Sequence, residues 1–266
     1  MTIFFVKFFI TVFAVVILAE LAKRVHPNVT GILMGLPLGA AISTYFFAYE
    51  LGTDFALAAI PWGIAGLSST VVFALAYLCT GRACAARGPA VRIIASCVVS
   101  LFAWAVFASL LRLVSMSITS ATLIFAVVIA ANLIILRKLR RPIEKPQNKA
   151  SSLRTILVRA FAAGTSISLV TGFAEIIGSS WSGILGAFPV MMFPLMMVLQ
   201  YEDGEKTYPG IIYSYAYSIP NLIVFYLSLY FLLPRLGLNI SYIILYALSA
   251  VLLLLLNKLR GILEKQ

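Results

Sequence analysis

A chain of 266 residues that is 62% hydrophobic and 11% charged carries more apolar surface than one globular core can hide, which excludes an ordinary soluble domain. A net charge of +11 would suggest nucleic acid as the partner of a soluble protein; in a membrane protein it reports which side the loops face. The apolar stretches are about 20 residues or longer, the length an α-helix needs to cross about 30 Å of hydrocarbon, and they lack the alternation of a β-barrel strand.

In chain order the pattern predicts nine spans: 3–24, 30–49, 54–79, 90–113, 118–137, 155–177, 182–201, 206–233 and 240–258. The first has only Lys7 ahead of its apolar core and no small-x-small cleavage site, so a retained helix is expected rather than a signal peptide. Pro61 and Pro220 are expected to interrupt the third and eighth spans. With this span map Lys23, Arg24, Arg82, Arg87, Arg92, the run Arg137 to Arg141, Lys145, Lys149, Arg154, Lys206, Lys258, Arg260 and Lys265 fall on one side. Lys7, Arg112 and Arg235 fall on the other. The positive-inside rule then puts the N-terminus outside and the C-terminus in the cytoplasm of a cell whose inner (plasma) membrane holds the chain. The polar segment 142–153 is the expected cytoplasmic linker between a first membrane repeat, 1–141, and a second, 154–266.

That division rests on an internal repeat. Gly31 to Pro37 reads GILMGLP and Gly183 to Pro189 reads GILGAFP; at an unchanged offset Tyr49-Glu50-Leu51-Gly52 is matched by Tyr201-Glu202-Asp203-Gly204. Upstream, Ala19-Glu20-Leu21 meets Ala174-Glu175-Ile176. Five spans in the first half against four in the second would turn the second copy over. Such an inverted repeat is a recurrent design of secondary transporters that open a central site to alternate sides.

The repeated residues carry the candidate chemistry. Pro37 and Pro189 lack an N–H, and Gly31, Gly35, Gly183 and Gly186 allow close approach at the breaks, so these six are candidate hinges or, equally, packing kinks; a further break is expected at Pro194. Glu20 and Glu175 are the carboxylates expected inside spans, candidates to carry a proton or meet a cationic group. Glu20 also has Lys23 and Arg24 one turn away, while Ser168 and Thr171 are expected on the helical face of Glu175. Glu50 and Glu202 end their spans and are expected to cap loops. Tyr213, Tyr217 and Asn221, spaced at i, i+4 and i+8, are expected to line a path or a hydrogen-bonded interior.

Other chemistries find little support. Cys79, Cys84 and Cys97 have no zinc or redox spacing and are expected as free thiols; no metal cluster, Walker-type loop or pair of membrane aspartates is visible. The chain is therefore expected to be no enzyme, to need no cofactor and to bind no nucleic acid. Its expected partners are membrane lipids and a small-molecule or lipid-linked substrate, with a homo-oligomer allowed.

In the second half, Gly183-x-x-x-x-Phe188-Pro189, an acidic Gly-containing loop, a span with Pro220 followed by Tyr226-x-x-x-Tyr230, and a last span after Arg235 together resemble the GlpM-like proteins. The resemblance covers roughly 155–262 and, more faintly, 3–79 with 112–140. It implies small bacterial inner-membrane modules of four spans, associated with alginate production, here duplicated in one chain. The expected fold is therefore an all-α polytopic helical bundle with an inverted repeat. The expected function is a secondary transporter for a small polar or amphiphilic solute, with proton coupling through Glu20 and Glu175; the competing class is a membrane scaffold for envelope or exopolysaccharide synthesis.

Overall fold

The computed structural model describes residues 2–24, 36–139, 153–190 and 192–263, and every regular element in them is an α-helix. Gly31 and Gly35 lie outside the described residues, as do the side chains of Glu20, Arg159 and Glu202. In chain order the helices are α1 (Thr2–Arg24), α2 (Leu38–Leu51), α3 (Thr53–Ala83), α4 (Pro89–Leu111), α5 (Ile118–Leu139) and α6 (Leu153–Gly172). They continue with α7 (Ala174–Gly186), α8 (Met192–Asp203), α9 (Tyr208–Ser218) and α10 (Pro220–Leu263).

Among the described residues four stretches are long and apolar enough to cross a membrane: α3, α4, α5 and the run Tyr208–Leu255. Of the other expected spans, 3–24 is the unbroken helix α1, and the two at 155–177 and 182–201 are divided by identifiable breaks. The one at 155–177 bends at Phe173, and α7 kinks again at Gly178, whose φ is 75°. The one at 182–201 divides between α7 and α8 at Pro189, and Pro37 precedes the short α2. Gly237, with φ 72°, separates 220–236 from 238–263 where the sequence predicts a turn between spans.

Two proline expectations are corrected. Pro61 does not interrupt its span: α3 runs through it for 31 residues, or about 45 Å, because enclosure by neighbouring helices outweighs one lost hydrogen bond. Pro194 makes no break either. It sits in the first turn of α8, where an N–H has no helical partner to lose. Pro220 does mark a break, since α9 stops at Ser218 and α10 starts at Pro220.

The apolar interior forms two clusters. The larger is centred on α3, with Phe73, Tyr77, Ile184, Met196, Tyr208, Phe225 and Tyr226 among its buried members. The smaller joins α2 (Ile42, Phe46), α6 (Ala160, Ile167) and Val190, with Val12 and Val16 of α1 against it. α1 and α6, the first helices of the two sequence copies, pack on each other through Phe8 and Phe161, whose rings meet edge to face at 5.4 Å. α4 and α5 are mostly exposed, with Val98, Phe102, Leu123 and Val127 turned outward, as helices facing lipid would be.

Backbone carbonyls at helix ends are met by side chains at the end of the bundle where α3 finishes. Arg82 and Tyr213 both donate to the Leu139 carbonyl, at 2.7 and 2.8 Å, which caps the last described turn of α5 with a cation where the helix dipole favours one. Arg92 does the same for α8, donating to the Gln200 carbonyl at 3.1 Å. Tyr213→Phe removes one of the two donors at Leu139, and the expected loss is about 1 kcal/mol, read as a lowered thermal midpoint of the detergent-purified protein.

Candidate functional site

Both prolines of the repeat precede helices whose ends the repeat also specifies. After Pro37, α2 runs to Tyr49-Glu50-Leu51 and stops at Gly52, whose φ is 89°. After Pro189, α8 runs to Tyr201-Glu202-Asp203 and stops at Gly204, whose φ is 65° and which stands at the same distance from its proline. A left-handed residue closes each helix, a conformation that costs glycine little, so Tyr-Glu-x-Gly is a helix stop in both copies. Tyr49 and Tyr201 are both exposed.

The second break is packed tightly. The Phe188 N–H turns back to the Leu185 carbonyl at 3.0 Å, replacing the bond that Pro189 cannot make, and Thr70 of α3 donates to the Ala187 carbonyl at 2.8 Å. Such repair is what a helix interruption inside a bundle needs. Small residues set the distance to α3. A Cβ on Gly66 would lie 2.9 Å from the Ile184 Cα, and one on Gly183 would run into the Ala59 carbonyl and lie 2.8 Å from the Trp62 Cβ.

The first break meets the second. A Cβ on Gly39, two residues after Pro37, would lie 3.3 Å from Val190, one residue after Pro189. One on Gly186 would lie 3.4 Å from the Cβ of Ser43 and 3.7 Å from the Phe47 ring of α2. Thr70 is near the middle of α3, so the start of α2 and the Pro189 break converge at half depth in the bundle. The turns that follow them do not converge. Gly52 adjoins the start of α3, whereas Gln200 and Tyr208, which flank the Gly204 turn, approach Gly81 near its end.

Around the meeting point lie rings and buried donors. Trp104, Phe73 and Phe193 each meet Phe188 edge to face, with centroids 5.1–6.0 Å apart within this group. Among the described residues Trp104 Nε1, Ser68 Oγ and Ser69 Oγ are buried with no hydrogen-bond partner. Each is an open donor or acceptor in an otherwise apolar interior.

Polar clusters close the two ends. At the Gly52 end, Lys7 of α1 forms an ion pair with Glu50 of α2 at 2.5 Å, with side-chain exposures of 3% and 20%, and lies over the Phe46 ring. Nearby, Tyr45 donates to Asn239 at 3.1 Å, and the Thr44 and Tyr242 hydroxyls share a bond at 2.7 Å. At the Gly81 end, Tyr77 donates to the Gln200 side-chain oxygen at 2.7 Å, Gln200 donates to Ser96 at 3.3 Å, and Tyr208 donates to Glu205 at 2.6 Å.

The sequence candidates are distributed unevenly over this arrangement. Pro37, Gly183, Gly186 and Pro189 are at the breaks. Glu175 is exposed in the first turn of α7, where the helix dipole favours an anion, and not deep within a span, because the chain bends at Phe173. Ser168 and Thr171 precede that bend on α6; Ser168 is buried without a partner, and the Thr171 hydroxyl is taken by the Ile167 carbonyl at 2.8 Å. Tyr213 caps α5, Asn221 is buried just after the Pro220 break, and Tyr217 is half-buried on α9. Glu20 and the glycines at 31 and 35 fall where the structure describes no side chain.

Sequence reasoning missed the Lys7–Glu50 pair, although its span map had put both residues on one side. It also missed Gln200 and Ser96, which stand in apolar helices and belong to no motif. Comparison with family models, with curated proteins and with solved structures finds no match for the chain.

Proposed function

We propose that this chain is a secondary transporter that works by alternating access on a small polar or amphiphilic solute. In this reading its two GlpM-like modules are inverted in the inner membrane, nine segments reach across or into the bilayer, the N-terminus is outside and the C-terminus is cytoplasmic. The observation that carries it is the convergence of the helix start after Pro37 with the Pro189 break at Gly39 and Val190, half way along α3, while the turns that follow them adjoin opposite ends of that helix. Irregular backbone at membrane depth is tolerated where protein or a wet cavity covers it, and transporters use such breaks to form central sites. The Trp104, Ser68 and Ser69 groups, unpaired among the described residues, together with the Trp104–Phe188 ring contact, suit a solute with a polar and an apolar part.

The basic caps Arg82 and Arg92 at the Gly81 end accord with a cytoplasmic assignment for that end. The test uses a protein whose cysteines 79, 84 and 97 are replaced and which carries Ser43→Cys, a buried position beside the breaks. In sealed vesicles a membrane-impermeant maleimide is expected to label this cysteine from either side, while Leu51→Cys and Asp203→Cys label from opposite sides. A position 43 protected from both sides would leave a static bundle and remove the transport reading.

A further inference from the structure

We infer that α1 and α6 move together as the gating element of the proposed transporter, and that Lys7 and Glu50 are the positioning residues that hold this element closed at the Gly52 end. The inference rests on the transport reading and adds to it which part moves and what restrains it.

The first observation is how α1 and α6 are packed. They are close partners: a Cβ on Gly164 would lie 3.0 Å from both Phe8 and Val12, and the Phe8 and Phe161 rings meet directly. Their described apolar contacts with α2 and Val190 belong to the smaller cluster, and of their described side chains Val170, near the end of α6, lies against the large core around α3. That smaller cluster lies over the point where the two breaks meet, since it contains Val190 and has Phe188 against it. A shift of α1 and α6 pivoting near Val170 would therefore uncover the point where α2 meets the Pro189 break while leaving most of the core around α3 in place.

The second observation is chemical. The described remainder of α1 is almost wholly apolar, yet Lys7 is buried against Glu50 and the face of Phe46. Taking two charges out of water gives little net stability compared with apolar side chains of the same size, and the best-attested use of such a pair is to fix one arrangement among several. Here the pair joins the α1–α6 element to α2 at the Gly52 end. Separating them demands that both charges reach water together, which makes the closed state discrete rather than gradually yielding.

The third observation is register. The pair is 43 residues apart in the chain, and the second copy has a base and an acid, Arg159 and Glu202, at the same spacing and at the repeat's own offset. Arg159 is in α6 and Glu202 in α8, helices that pack on each other as α1 and α2 do. A duplicated packing kink does not call for opposite charges at matched sequence positions.

The experiment follows the labelling rate of Ser43→Cys from the Gly52 side in the cysteine-replaced protein. Glu50→Gln is expected to raise that rate roughly tenfold by moving the population toward the open state. The charge swap Lys7→Glu with Glu50→Lys is expected to return it to the starting value. Where Glu50→Gln alone does not yield monodisperse protein, Lys7→Gln with Glu50→Gln leaves no buried charge and carries the same expectation. If position 43 is labelled from both sides at rates indifferent to these changes, the latch is overturned and the transport reading stands. If it is labelled from neither side in any variant, both fall.

Discussion

Glu50→Leu should cost the folded protein about 3–5 kcal/mol, the loss expected when one partner of a buried ion pair is removed and the other is left behind. The residue left behind is Lys7, 3% exposed at its side chain and 2.5 Å from the Glu50 carboxylate, with a phenyl ring as its other neighbour. Phe46 offers the ammonium about 1 kcal/mol of cation–π attraction, too little to offset the lost counter-charge. Lys7→Met should cost less, because Glu50 is 20% exposed and can turn to water. Lys7→Met with Glu50→Leu should recover most of the stability, since an apolar pair of similar volume packs where the ions were. Thermal unfolding of the three purified proteins in detergent checks the order. A double variant as unstable as Glu50→Leu would mean that the pair supports the fold itself, and its retention would then need no gating role.

That pair also marks how far the sequence could be read. The break at Pro189 was legible because proline lacks the N–H a helix needs, and the stops at Gly52 and Gly204 because Tyr-Glu-x-Gly ends in the residue that enters the left-handed region at least cost. The turn at Gly237 was legible from the gap between apolar runs. Pro61 was misread because packing around α3 outweighs a local rule. Glu175 was misread for a related reason: a hydropathy window averages across the bend at Phe173 and reports one span where two helices meet. The partnership of Lys7 with Glu50, and of Tyr77 with Gln200 across 123 residues, is a property of tertiary packing that no local pattern encodes.

Membrane bundles gain little hydrophobic energy from bringing helices together, so the contacts that fix their geometry are those where backbones come closest. In this chain such contacts cluster along one face of α3. Gly63 accommodates the Tyr226 ring, Gly66 accommodates Ile184 and Ala187, and Gly81 accommodates Tyr208 and Gln200. Facing them from α7 is Gly183, set against Ala59, Trp62 and Gly63. The glycines of GILGAFP thus serve the crossing of α7 over α3 as much as any hinge, and the two roles are compatible: the crossing anchors α7 while the chain beyond Ala187 is free of a regular helical bond at Pro189.

Gly183→Val should therefore be among the most damaging single changes outside the ion pair. Even a Cβ at this position meets the Ala59 carbonyl and the Gly63 backbone nitrogen at 2.9 Å, and these are backbone atoms that cannot rotate away as a side-chain tip could. α7 would have to lift from α3, which loses the Gly66 contacts and pulls Ala187 from the Thr70 hydroxyl. Overpacking of this kind costs about 3 kcal/mol, to which the lost hydrogen bond adds about 1 kcal/mol. Gly186→Ala is the matched comparison, because its Cβ would stand at 3.4 Å from Ser43 and 3.7 Å from Phe47, ordinary van der Waals distances, and little change is expected. Size-exclusion profiles and thermal midpoints of the two variants decide the matter. If Gly183→Val stays as stable as Gly186→Ala, α7 does not depend on its seat against α3, and the closely packed meeting of the two breaks that the transport reading rests on loses its anchor.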